Sequence, residues 1–410
     1  MKILFLTQYC PPEVGAPQNR IFEFAKQLKG FGHEVTILTA MPNYPKGRIF
    51  DNYKGKFTLK EEIDGIRIVR TWIYATCNKG FVPRILNYLS FTISSVLFGT
   101  YLIGSQDVVI TESPPLFLGY SGYLISKFKN AKFVFNVSDL WPESAIKLGM
   151  LHNKTLISMS TWLEEFCYRK ADLITGQTKG IVGNISSRGF EKAKIHLITN
   201  GVDCELFKPE KRSESIRKEF NVEGKFALCY AGIHGLAQGL EVIMEAARKL
   251  KEYKDIAFVF VGEGPEKGKL ISLKAKYGLD NVQFFPMQPK ARMPEIVASM
   301  DAAIIPLKKL DLFKGALPSK MFETMASGIP IVLSVEGEAE NMIKEANSGI
   351  CVEPENHDKL KEAILKLYND RNLCESLGKN GRAFVQENYS RKNITKKLEG
   401  LLQKTVETKS

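Results

Sequence analysis

The strand-like run AIIPL leads through a long loop to Pro318, Ser319 and Lys320, and then to a helical segment carrying Glu323. The start of a helix leaves its first amide groups without intrahelical partners and concentrates positive potential there. A Ser at the N-cap with a Lys beside it therefore makes a cradle for an anion. Glu323, one turn on, is placed to accept hydrogen bonds from two adjacent hydroxyls, as a ribose offers. The competing reading is an ordinary solvated pair of Lys320 and Glu323 at i,i+3. Two other loops follow strand-like runs. YAGIHGLAQGLE carries Gly232, Gly235 and Gly239 with His234 and Gln238 among them, and its bare backbone suits a diphosphate. Neither Gly232 nor Gly235 begins a G-x-G-x-x-G fingerprint, so a dinucleotide cofactor is not expected. PPEVGAPQNR carries Gly15, which permits close backbone approach, and Arg20, which adds charge near a helix start; plain turn chemistry is the alternative.

Such loops need a scaffold, and the chain supplies one twice. Apolar runs of strand length alternate with amphipathic segments of helix length, the pattern of parallel sheets with helices on both faces. In the first half the strands read KILFLT, EVTILT, IRIVRTW, DVVIT, KFVFNV, DLIT and KIHLIT; FEFAKQLKGFG between the first two is helical and ends on Gly30 and Gly32. The pattern restarts near Lys225 with KFALCYAG, IAFVFVG, VQFFP, AAIIPL and IPIVLS. The spacing predicts an α/β chain with a first domain over 1–204 and a second over 205–387. A charged helix over about 388–410 returns to the first domain, and the boundary lies in NGVDCELFKP.

With 410 residues, 44% hydrophobic and 25% charged, the composition is that of a folded globular protein rather than a disordered or integral membrane one. Fifty-seven Lys and Arg against 45 Asp and Glu give +12, which favours phosphate-rich partners. No Arg-rich run with interleaved aromatics points to nucleic acid. Seven Cys without CxxC spacing argue against disulfides and zinc, and KILFLT directly after Met1 leaves no room for a signal peptide, so a reduced cytoplasmic protein is expected. The stretch 85–106 has no charge, yet Asn, Ser, Thr and Gly dilute it too far for a spanning helix. It reads either as a buried or cleft-lining helix, or as a monotopic membrane contact helped by Lys79 and Arg84.

PSKMFETMASGIPIV resembles the donor-site helix of family 4 glycosyltransferases with the GT-B fold, in which two Rossmann-like domains face each other across a cleft. QYCPPEVGAPQNR through AMPNYP, then VSDLWPES, ITNGVD and VFVGEGPEK, follow in that family's order, and the chain is most similar to its L-fucosamine transferase-like subgroup of O-antigen and capsule assembly. The resemblance implies a hexosyltransferase-type enzyme that is retaining and metal-independent, with no cofactor. Its substrates would be a nucleotide-sugar, UDP-linked by preference, and a glycan or lipid-linked acceptor. The donor would meet Gly15, Gly232, His234, Gln238, Pro318, Ser319 and Lys320 at the diphosphate, Glu323 at the ribose, and Gly262, Glu263, Gly264, Pro265 and Met287 around the nucleotide. Asp139 and Glu143 would face sugar and acceptor, with Asn43 and Tyr44 on the same wall. Asp139, Lys320 and Glu323 would carry the catalysis, and closure about residues 200 to 210 would exclude water. The chain departs from the family where an acid is usual at position 315, here Gly315, where Arg and Lys are usual, here Ile233 and Gln238, and where a His is usual, here Ser138. Lys320 and His234 would then share the diphosphate charge, and the donor sugar would be a deoxy or N-acetylated amino sugar. A nucleotide-sugar epimerase and a non-catalytic nucleotide-sugar-binding protein are the rival readings.

Overall fold

The computed structural model describes residues 1–13, 16–77, 80–147, 149 and 151–408. The chain forms two compact units, Met1–Thr199 with Ile394–Ser410, and Asn200–Asn393, divided a few residues from the expected boundaries.

The first unit is built on eight strands: β1 (Lys2–Leu6), β2 (Glu34–Ala40), β3 (Thr58–Ile63), β4 (Ile66–Thr71), β5 (Val108–Ser113), β6 (Lys132–Val137), β7 (Leu173–Gly176) and β8 (Ile195–Leu197). They lie in the order β3-β4-β2-β1-β5-β6-β7-β8, and every neighbouring pair is parallel except β3 with β4. The central strands read as near-continuous apolar runs because helices cover both faces. β3, TLKEEI, is the strand that hydrophobic pattern alone misses. At the sheet edge only one of its faces is partly covered, and its charges guard the open side.

The second unit holds six parallel strands: β9 (Phe226–Ala231), β10 (Ile256–Val261), β11 (Val282–Phe285), β12 (Ala302–Pro306), β13 (Ile331–Ser334) and β14 (Gly349–Cys351), in the order β11-β10-β9-β12-β13-β14. In each unit the order reverses next to the first strand, between β1 and β5 and between β9 and β12. Connections there leave in opposite directions, so the carboxyl ends of these strand pairs open a crevice in which ligands of open α/β sheets bind.

The closing helix, Arg391–Glu407, enters the first unit from Ile394 onward. Leu398 and Leu402 are buried there, and Glu399 meets the His33 ring at 2.7 Å. The return of the chain thus fastens a helix beside the start of β2. Replacing Leu402, fully buried, by Ala is expected to lower the stability of the first unit by about 2–5 kcal/mol in urea unfolding. A loss below about 0.5 kcal/mol would show that this helix does not pack where the structure has it.

Candidate active site

In the second unit the loop after β9 and the helix after β12 meet at the reversal point. Helix Ser319–Ala326 begins one residue earlier than the cap chemistry suggested. Pro318 holds the cap position and Ser319 is the first helical residue, with no side-chain cap bond. Proline suits that place because it has no amide to satisfy. The amides of the first turn still lack intrahelical partners.

Lys320 does not pair with Glu323. Its Nζ lies 4.0 Å from the centroid of the Tyr230 ring, and a Cβ added at Gly232 would stand 2.9 Å from it. Among the described residues no carboxylate lies within ion-pair distance of this ammonium. Burial lowers its pKa to about 8, while Glu323 and Cys229 pull weakly the other way. It is therefore charged at neutral pH, and it is the cation that an incoming anion would find. Glu323 is half-buried; burial raises its carboxyl, against the pull of Arg391, Lys290 and Lys320.

The Gly232 loop is held by backbone. Gly232 N donates to Val261 O at 2.9 Å, His234 N to Glu263 O at 2.9 Å, and Glu266 N to His234 O at 3.0 Å. A side chain at Gly262 would overlap the Gly232 carbonyl and one at Gly264 the His234 backbone; both glycines also have positive φ, 147° and 159°. These glycines are fixed by contact between two backbones, which explains GEGP better than a direct pocket role. Lys267 closes the stack from below, donating to Gly262 O at 3.0 Å and to Glu263 at 2.7 Å. Tyr230 OH donates to Ile233 O at 2.6 Å, so one ring both braces the loop and floors Lys320.

His234 corrects an expectation. Its ring is fully buried among Tyr230, Phe260 and Phe284, with neither nitrogen hydrogen-bonded, and burial, with Lys267, lowers its pKa to about 4. A neutral ring under the loop cannot share diphosphate charge, so Lys320 is left to carry it. Gln238 is half-buried beside Gly235, whereas Glu263, ion-paired to Lys267, and Met287 are exposed at the ends of β10 and β11. A shallow surface dent beyond β12 and β13, with room for little more than a water, is lined by Lys308, Lys309, Phe313, Lys314 and Glu336, next to the position of Gly315.

In the first unit the expected wall is rearranged. Gly15 lies outside the described residues. Arg20 does not reach the loop surface. Its buried guanidinium faces Glu112 at 3.7 Å and donates to Ile198 O at 3.0 Å and Ser138 Oγ at 3.3 Å. Glu112, 2% exposed, accepts from both Ser138 Oγ and Asn136 Nδ2, and burial raises its carboxyl. This network at the ends of β5 and β6 sets the chain just before Asp139.

Asp139 is exposed as a residue, with Oδ1 accepting from Ser144 Oγ at 2.5 Å; partial desolvation raises its carboxyl and nearby Glu143 adds to that. Glu143 is occupied by Lys147 at 2.6 Å and Asn184 at 3.1 Å, so its expected contact with an acceptor gives way to a structural role. Asn43 is likewise spent. It is buried, its side chain donates to Met41 O at 3.0 Å, and its amide and that of Tyr44 both donate to Glu13 Oε1 at 2.8 Å. Glu13, missed in the sequence, is the buried carboxylate that shapes this turn. Tyr44 stays at the surface, edge-on to Tyr9 at 5.5 Å. Among the described residues no group of His, Cys, Asp or Glu is placed to hold a metal ion.

Residues 15–201 match the model of the glycosyl transferase 4-like domain, and residues 211–384 that of glycosyl transferases group 1. The chain belongs to the family 4-like, group 1 glycosyltransferases. A relative 26% identical, over 89% of this chain and 91% of its own length, is the putative colanic acid biosynthesis glycosyl transferase WcaI of Escherichia coli. An uncharacterized glycosyltransferase of Methanocaldococcus jannaschii is 24% identical over 99% of both chains. The structure of Anabaena HepE in complex with UDP and glucose superposes with a TM-score of 0.74 at 16% identity, covering 98% of this chain and 99% of that one. The fold of this glycosyltransferase is accordingly GT-B.

In this glycosyltransferase the buried neutral His234 makes stability depend on pH. Its folded pKa lies below the unfolded 6.5, so protons favour the unfolded chain as pH falls from about 6.5 toward 4. The second unit should lose about 2 kcal/mol between pH 7.5 and 5 from this group. His234→Phe should remove that share of the slope in denaturant melts at the two pH values. An unchanged slope would mean the ring is protonated or hydrated in the folded state.

Proposed function

We propose that this enzyme transfers a deoxy or N-acetylated amino sugar, such as an L-fucosamine derivative, from a UDP-linked donor to a lipid-linked glycan in surface polysaccharide assembly. It retains anomeric configuration, needs no metal, and works in the cytoplasm at the inner face of the cell membrane. The observation that carries this reading is Lys320: an ammonium with no carboxylate at ion-pair distance among the described residues, set over Tyr230 beside Gly232 at the reversal point of the second sheet. A buried unpaired charge is costly, and an arriving diphosphate offsets that cost.

Transfer builds negative charge on the leaving nucleoside diphosphate. Fixed amides at Ser319 and in the Gly232 loop, together with Lys320, stabilise that charge without reorganising. Glu323 takes the ribose hydroxyls, and backbone near Gly262 and Met287 takes the base. The leaving phosphate accepts the proton of the attacking hydroxyl on the same face, and Asp139 orients that hydroxyl or stabilises oxocarbenium-like charge. The sugar lies toward position 315, where Gly315 offers no acid to grip extra hydroxyls. The UDP in the HepE complex and the colanic acid assignment of WcaI support the donor and the pathway class.

Calorimetry tests the donor site. UDP affinity should hold steady to about pH 8 and fall above it, because Lys320 loses its charge there. Lys320→Met should weaken UDP binding at pH 7 about tenfold or more and remove that inflection. Equal affinity in the variant would take Lys320 out of the site. For the reaction, nucleotide-sugars offered with lipid extract from the native membrane should release nucleoside diphosphate only when the extract is present. Isomerisation of a donor in its absence would make the enzyme an epimerase.

A further inference from the structure

The segment 85–106 is neither buried nor alone. Helix Phe81–Ser94, a π-helical turn over Ser95–Gly99 and a last turn over Thr100–Leu102 form one rod, with only 33% of its apolar window buried. Val82, Leu86, Ile93, Leu97 and Tyr101 repeat at helical spacing, yet all are exposed, from 49% to 87%. The apolar stripe therefore faces water, the reverse of a core helix. The π turn re-aims the rod so that neighbouring Leu97 and Phe98 both face outward.

Side chains fasten the rod flat to its unit. Ser94 Oγ donates to Trp72 O at 2.5 Å, and Ser121, on helix Phe117–Lys129, donates to Thr92 O at 2.9 Å. A helix tied sideways along its length to β4 and to a neighbouring helix lies on a bilayer and does not cross it.

The patch continues on both sides. Phe98 meets Phe57 edge-on at 4.8 Å, and Phe57 stacks on Trp72 at 6.0 Å; Phe57 and Trp72 are exposed. On the other side Tyr120, beside the Ser121 bond, meets Phe166 at 5.8 Å, and Phe166 stacks on the 60% exposed Trp162 at 5.7 Å, both on helix Lys154–Lys170.

The charge around this face selects the occupant. From Thr71 to Gln106 there is no Asp or Glu, and helix Phe117–Lys129 bears Lys127 and Lys129 and no acid. The two acids of helix Lys154–Lys170 are neutralised, Glu164 by Arg188 at 2.6 Å and Glu165 by Arg169 at 3.1 Å. An apolar and aromatic surface whose rod and flanking helices carry basic side chains and no unpaired acid, with acids only toward the β3 edge, on a chain of net charge +12, fits the interface of an anionic bilayer; a second copy would bring like charge.

We propose that the first unit docks on anionic membrane through a three-helix face that runs from Trp72 and Phe57, across Leu97 and Phe98, to Tyr120 and Trp162. The rod starts at the acceptor side: Asn87 Oδ1 accepts from Gln8 Nε2 at 2.8 Å at the end of β1. A lipid-linked acceptor would thus reach the site along the bilayer surface. This deepens the proposed function's choice of acceptor and rests on it for that step only; the docking itself stands apart from the transfer chemistry.

Sedimentation of the full chain with phosphatidylcholine vesicles, with and without 30% phosphatidylglycerol, tests it (composition about 7:3), with UDP calorimetry run on every variant as the check of folding. Wild type should bind the anionic vesicles, less at high salt and less without phosphatidylglycerol. Leu97→Ser with Phe98→Ser, and separately Trp162→Ala, should each weaken binding about tenfold while leaving UDP affinity unchanged. Absence of wild-type vesicle binding overturns the proposal, as does a concentration-dependent dimer abolished by the same substitutions. Unchanged binding in Trp162→Ala overturns the three-helix extent. Loss of wild-type UDP binding with vesicle binding intact would count against the donor site and leave the docking face standing.

Discussion

The second unit is organised around a lysine ammonium that has an aromatic ring beneath it and, among the described residues, no carboxylate at ion-pair distance. Everything near Lys320 serves to keep it so. Tyr230 floors it and braces the loop; Gly232 leaves it room; Gly262 and Gly264 let a second loop press against the first, backbone to backbone. A side chain at Gly262 or Gly264 would lift the loop away, and one at Gly232 would crowd the ammonium. The cost of a desolvated charge is tolerated in the empty protein because the ring face attracts it and because it stays partly open to water. An anion at that place restores what desolvation removes, which links an arrangement fixed by packing to the chemistry of a leaving diphosphate.

The first unit follows a different logic. Its buried carboxylates are fully committed, Glu13 to backbone amides and Glu112 to Arg20, Ser138 and Asn136. They shape the turns after β1 and β5 and leave Asp139 as the acid at the surface. The division makes physical sense: groups that hold geometry are saturated, whereas groups meant to meet a substrate are left with unused capacity.

Much of this was legible in sequence. Apolar runs and their spacing predicted all but β3 and β14, because buried parallel strands announce themselves and a charged edge strand or a three-residue strand does not. That Lys320 and Glu323 lie in the first turns of a helix could be read because helix-start chemistry is local. What the sequence hid was long-range. Nothing near residue 320 names Tyr230 as its partner, and nothing near His234 tells that its ring lies in an aromatic cluster rather than toward a ligand. Asn43 and Glu143 looked available for the same reason: their partners, Met41 and Glu13 for one, Lys147 and Asn184 for the other, are visible only once the chain is folded. The exposed stripe from Val82 to Tyr101 has the composition of a core helix, and only burial distinguishes the two.

The charge state of one amine tests the central claim most directly. In protein labelled at lysine, the Lys320 side-chain resonance should titrate near pH 8 in the free enzyme and move back toward the ordinary lysine range when UDP is added, since a bound diphosphate favours the protonated form. A Lys320 resonance that titrates as an ordinary surface lysine, and that UDP leaves in place, would contradict the account.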